Sequence, residues 1–148
     1  MATYNKFNDF SEQLVLGVHD FDTDVFKIYL SNATPSASAD AVKGDLAEIT
    51  AVNNYPSGGT ATTITVAGDT PTAGTTRVSG SKVVFTASGG SFGPFQYAVL
   101  YNSSKTITAG AGPLVSWWDY GSAVTLNTGE TFTIQFSGTD PGAIFTLA

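Results

Sequence analysis

One histidine, twelve carboxylates and no cysteine make up most of the reactive chemistry open to this chain. His19 stands just beyond a stretch with helical spacing, where a lone imidazole is structural or solvated far more often than catalytic. Gly89-Gly90-Ser91-Phe92-Gly93 matches G-x-S-x-G. A nucleophile elbow must sit on a strand-to-helix turn and needs a histidine later in the chain. Pro94 and the β-like FQYAVLY come next instead, and no histidine lies downstream, so these glycines read as a turn. Asp20, Asp22 and Asp24 are spaced like the start of a calcium loop. That loop requires glycine at its sixth position and a bidentate acid at its twelfth, where this chain has Val25 and Ser31. A looser cation site and a solvated turn both fit what remains. Asp119 and Glu130 lie in neighbouring β segments, the arrangement a glycosidase pair would need, but twelve acids offer such pairs by chance. The sequons at Asn32 and Asn102 mean little without a secretory signal. These residues make no case for an enzyme, a metal or a cofactor.

The elements that would position such residues are mainly β. Phe7, Phe10, Leu14 and Val18 recur at spacings of three, four and four, which lines them along one face of a helix over about 5–18. Asn5 is its candidate cap, and Gly17 weakens its far end. From about residue 24 onward the chain reads as strands, beginning with DVFKIYLSN. There Phe26, Ile28 and Leu30 alternate with Lys27, Tyr29 and Ser31, a strand with one buried face. NATPSASADAVKG reads as loop, and DLAEI as a short helical turn. Then come TATTITVA, RVSGSKVVFTAS, FQYAVLYN, LVSWWDY, AVTL, TFTIQFSG and AIFTLA, most of them separated by Gly, Asn, Asp or Pro turn residues. Many short strands with turns between them imply an all-β fold over residues 1–148: an antiparallel β-sandwich, jelly-roll-like, with a short N-terminal helix capping one end or edge. No repeat or second domain is visible.

Charge narrows the partners. Through Thr50 there are eight acids against Lys6, Lys27 and Lys43, whereas residues 51–148 carry four acids against three bases. Nucleic-acid binding needs a basic stripe, and none exists. No apolar run approaches the ~18–20 residues of a membrane span, and the N-terminus lacks the pattern of a signal peptide.

Adjacent Trp117 and Trp118 raise a sharper question. In a strand, neighbours point to opposite faces, so strict alternation groups Leu114, Ser116, Trp118 and Tyr120 against Val115, Trp117 and Asp119. It likewise groups Phe95, Tyr97, Val99 and Tyr101 against Gln96, Ala98, Leu100 and Asn102. Both strands are apolar or aromatic on two sides. One tryptophan should enter the sandwich core. The other should be covered by the helix or by a neighbouring subunit, since aromatic patches mark interfaces; a third use is stacking on a sugar.

The segments YNKFNDFSEQLVLGVHDFDTDVFKIYLSNATP, FTASGGSFGPFQYAVLYN, WWDYGSAVTLNTGETFTIQFSG and AIFTLA resemble small virion proteins of tailed bacteriophages. The resemblance covers most of the chain and is weakest between about Ala33 and Lys82. It implies a capsid decoration (cement) protein: a β domain that binds the outer capsid surface as a dimer or trimer and clamps neighbouring copies of the major capsid protein. It also implies synthesis in the host cytoplasm. Such a role needs a large complementary contact and no chemistry. Trp117, Trp118, Phe92, Phe95 and Tyr97 are the residues expected in that contact or in the core beneath it. A tail or fibre component and a carbohydrate-binding β-sandwich module are the alternatives.

Overall fold

Thr3–Lys6, which overlaps the expected start of the helix at Asn5 and Lys6, is a strand (β1). In the computed structural model, which describes residues 2–69, 71–138 and 140–148, β1 pairs antiparallel with residues 116–119. That pairing claims the first residues of the expected helix, including Asn5. The helix α1 is therefore confined to Asn8–Val15, with extended Phe7 in the capping position. The remaining strands are β2 (Phe26–Ser31), β3 (Thr60–Thr62), β4 (Ile64–Gly68), β5 (Thr76–Gly80), β6 (Val83–Thr86), β7 (Phe92–Asn102), β8 (Thr106–Ile107), β9 (Gly110–Ala111), β10 (Leu114–Leu126), β11 (Thr131–Ile134) and β12 (Gly142–Leu147). LVSWWDY and AVTL are thus one strand, while TATTITVA and RVSGSKVVFTAS each divide in two. The short turn expected at DLAEI lies earlier, at Lys43–Asp45.

The arrangement is mainly β, antiparallel and sandwich-like. One layer has the strand order β1-β10-β7-β2-β3. The other is built from pairs that share strands end to end. Only Ser81 and Lys82 separate β5 from β6. Gly80 of β5 faces Gly142 of β12, and Val83 of β6 faces Ile134 of β11. So β11 and β12 run along one side of β5 and β6, interrupted by residues 135–141. On the other side, β4 pairs with β5. The layers join where the chain leaves β3, which pairs with β2, and enters β4 one residue later. Thr63 marks this crossing: its N–H donates to Ser81 Oγ (2.9 Å), and its carbonyl accepts from the Ser81 N–H (2.9 Å). One side of the sandwich is closed by this shared strand. The opposite side, where β1 and β10 face β11 and β12, stays open.

Two cores result. Between the layers, Phe26, Ile28, Leu30, Ala98, Leu100 and Val115 meet Val83, Phe85, Ile134, Phe136 and Ile144. The second lies on the outer face of the five-stranded layer, where Tyr29, Tyr97, Val99, Tyr101 and Leu114 are covered by Phe7 and Leu46. DVFKIYLSN therefore has two buried faces rather than one, for Tyr29 and Ser31 are as buried as Phe26. The helix does not provide this second cover. Phe10 of α1 plugs the end of the inter-layer core, edge-on to Phe145 (5.5 Å) and Phe21 (6.2 Å). Apart from Phe7, the outer cover comes from the segment between β2 and β3, which sequence marks as a small, polar loop followed by a short turn.

Strict alternation also fails in β10 and β7. A register shift between Leu114 and Ser116 is the local kink of a β-bulge. It puts Leu114 with Trp117 on the outer face and Val115 with the inter-layer core. A second shift separates the pair Asp119–Tyr97 from Val124–Phe95. Phe95 accordingly joins the inter-layer core while Tyr97 stays outside.

A candidate interaction cleft

The open side of the sandwich forms a cleft of about 500 Å³. Trp118 and Ala98 come from the five-stranded layer, Phe132 and Ile134 from β11, Phe136 from the turn after it, and Ile144 from β12. Tyr4 of β1 meets Trp118 edge-on at 5.8 Å, and Phe136 meets it at 5.2 Å. Tyr120 stands at the mouth, 56% exposed, edge-on to Phe132 at 5.4 Å. Among the described residues, no lining side chain is charged. Gln96 is the best-fixed polar group, its Nε2 donating to Asp119 Oδ1 at 2.9 Å, and Asp119 Oδ1 also accepts from the Gly121 N–H. A concave, mostly apolar site with a few placed polar groups suits binding, with shape and orientation set by its rim.

Of the five residues that sequence singles out, only Trp118 lines this cleft. Trp117 packs on Phe7 at 4.5 Å on the outer face. Phe92 and Phe95 are buried between the layers, where Phe95 supports the cleft wall through Phe132 (4.9 Å). Tyr97 is buried on the outer face. Tyr4, Gln96, Tyr120 and Phe136 are not among those five. Tyr120 is two residues beyond Trp118 in the same strand and is legible as its neighbour; Tyr4 is hidden because its strand runs on into Asn5 and Lys6, which local spacing assigns to the helix.

No family model, curated protein or solved structure matches the chain. The other polar clusters are engaged in structural bonds. The carboxylates of the DFDTD stretch serve their own turn. Asp20 Oδ1 accepts the Asp22 and Thr23 N–H groups and Oδ2 accepts the Thr23 hydroxyl, and these bonds hold Asp20 below the usual carboxylate range. Asp24 accepts from the Asp20 N–H, Asn102 Nδ2 and Lys105. Burial works against its charge, yet those partners leave it lowered as well. No group of three or more potential metal ligands occurs among the described residues. Glu130 bonds back to Asn127, while Asp119 is held by Gln96. Ser91 sits on an exposed turn just before β7, as the glycine reading requires.

His19 is buried among Phe10, Phe21 and Phe26, with Nδ1 3.4 Å from Asn102 Nδ2 and Nε2 unpartnered among the described residues. Burial pushes its imidazole down to about 4, against the opposing charges of Asp24 and Asp9. In the unfolded chain it titrates near 6.5. Between these values the unfolded state takes up a proton that the folded state refuses, so stability is full above about pH 6.5 and falls as pH drops toward 4. The expected loss is roughly 2 kcal/mol by pH 5. Urea midpoints at pH 7.5 and 5.0 will show it as a shift that His19→Gln abolishes. The lowered Asp20 and Asp24 act at more acidic pH, outside this window.

Proposed function

We propose that this chain is a structural virion protein that decorates a bacteriophage capsid, binding the outer surface of the shell and bridging copies of the major capsid protein without covalent chemistry. The observation that carries the reading is the uncharged aromatic cleft on the open side of the sandwich, with Trp118 at its base and Tyr120 at its mouth. Its apolar lining and poverty in charge match the centre of a protein contact. The segments that resemble small phage virion proteins include the strand bearing both residues. Each copy would reinforce the shell by mass action, adding binding energy only to the assembled state, and a dimer or trimer would multiply that contact.

The test is cosedimentation of the purified protein with capsids of its phage stripped of this component. Saturable binding at a fixed ratio to the major capsid protein is expected, with shells then more resistant to heat. Trp118→Ala should weaken that binding at least tenfold, as loss of a central aromatic anchor does. Absence of binding to shells overturns the reading and directs the search to tails and fibres. Gln96 and Asp119 beside Trp118 and Tyr120 favour a second reading, a carbohydrate-binding module. Glycan binding that Trp118→Ala removes while the oligomeric state is unchanged would select it.

A further inference from the structure

Two strand edges without a hydrogen-bonded neighbour among the described residues flank the cleft. There β1 pairs only with β10, and along the other layer β11 pairs only with β6 and β12 only with β5. An open edge offers a row of backbone donors and acceptors to any extended chain. β1 is poorly guarded against this. It has one lysine, no proline and no register shift. The Phe7 N–H bonds the Val115 carbonyl, so alternation along the strand turns the Tyr4 and Lys6 N–H groups away from β10. Tyr4 projects toward Trp118 and the cleft, while Asn5 faces Trp117 across the ladder. A strand added outside β1 would obey the same alternation, sending every second side chain onto Trp118, Phe136 and Ile144.

Charge indicates what that strand must be. The acids of this chain concentrate before residue 51, and several surround the helix end of the molecule, whereas no charged side chain among the described residues lines the cleft. A charged side chain entering it would lose its hydration and find no partner. We propose that the cleft and the β1 edge together receive an extended, uncharged segment of the major capsid protein, with apolar residues at alternate positions, which adds as a sixth strand to the five-stranded layer and closes the open side of the sandwich. This rests on the decoration reading and goes further by assigning the surface and the form of its partner.

The experiment compares amide hydrogen exchange in the free protein and in its complex with stripped shells, together with shell binding by Tyr120→Lys. Tyr120 shares the face of Trp118 and stands exposed at the mouth of the cleft, so the lysine puts a charge there and leaves the cores untouched; an unchanged urea midpoint will confirm that. At least tenfold slower exchange at Tyr4 and Lys6 in the complex, with at least tenfold weaker binding of Tyr120→Lys, is the expected result. Saturable wild-type binding without added protection at β1 overturns the strand proposal and leaves the decoration reading standing. Failure of the wild type to bind shells overturns both. Protection already present in the free protein and lost on dilution, with a doubled mass in light scattering, replaces the capsid segment by a second copy of this chain.

Discussion

Gly59→Ala is expected to destabilise the protein by about 4 kcal/mol or more, the range in which single substitutions abolish folding. Gly59 lies where the segment covering the outer core returns to the sheet as β3. Its φ of +71° is a left-handed conformation that costs other residues about 1–2 kcal/mol. Collision with backbone costs more. A Cβ at this position would overlap the Ile28 carbonyl and lie 2.7 Å from the Tyr29 Cα. Both belong to β2, which is paired on each side with β3 and β7 and cannot retreat without opening both ladders. Gly44→Ala provides the comparison, since a Cβ there meets open space and should change stability by less than about 0.5 kcal/mol. Urea unfolding of the two variants will separate them; equal midpoints would refute the account of this corner.

Glu48→Ala should cost about 3 kcal/mol, because it leaves several buried or half-buried groups without a partner. The covering segment has little apolar mass, and the Glu48 carboxylate is one of the groups that fasten it to the sheet. Glu48 Oε1 accepts the Tyr55 hydroxyl at 2.9 Å and the Gly58 N–H at 2.8 Å, while Oε2 pairs with Lys43 Nζ at 2.7 Å. Each partner is tied to the sheet in turn. The Tyr55 hydroxyl accepts from the Leu30 N–H, the Gly58 carbonyl accepts from the Tyr101 hydroxyl, and the Lys43 ammonium lies 4.9 Å from the centre of the Tyr29 ring. Burial, with the Glu48 charge adding to it, raises the Tyr29 and Tyr101 hydroxyls; burial also raises Tyr55, where a bond from Leu30 opposes and Glu48 adds. All three stay neutral. Removing the carboxylate strands a buried hydroxyl, a backbone N–H and a half-buried ammonium, and loss of one partner of such a group costs more than the bonds themselves contribute. Glu48→Gln keeps the shape and an acceptor and should cost about 1 kcal/mol. Denaturant midpoints test the order. Faster proteolysis between residues 32 and 59 in Glu48→Ala would locate the damage.

Strand-forming stretches are the most legible part of this sequence, because alternation reports directly on a two-faced sheet. Thr131–Ile134 alternates as its residue types require, and strands recur from residue 60 onward where the turn residues allow them. What alternation cannot carry is any position where a long-range partner overrides local preference. Asn5 and Lys6 read as the start of a helix over about 5–18, yet the pairing of Thr3–Lys6 with β10 makes them part of a strand. The bulge at Val115 exchanges the faces of Leu114 and Val115 relative to Trp117 and Trp118, and nothing local marks it. The cover of the second face is invisible for a different reason. NATPSASADAVKG has loop composition, and the cover it begins depends on a few anchors, Leu46, Glu48 and Tyr55, rather than on an apolar stripe. The two tryptophans do part to opposite faces. Trp117 is covered by Phe7, at the entrance to the helix, and Trp118 is left at the base of a cleft.

The pairing of β1 with β10 also has a temporal side. Thr3 faces Asp119, so β1 leaves the ribosome and waits for a partner made more than a hundred residues later. At roughly 5–20 residues per second that delay is on the order of ten seconds, during which the Tyr4 and Phe7 rings have no native surface to meet. The five-stranded layer therefore cannot assemble until β10 has been made, and nascent chains arrested before residue 114 should remain open to protease throughout.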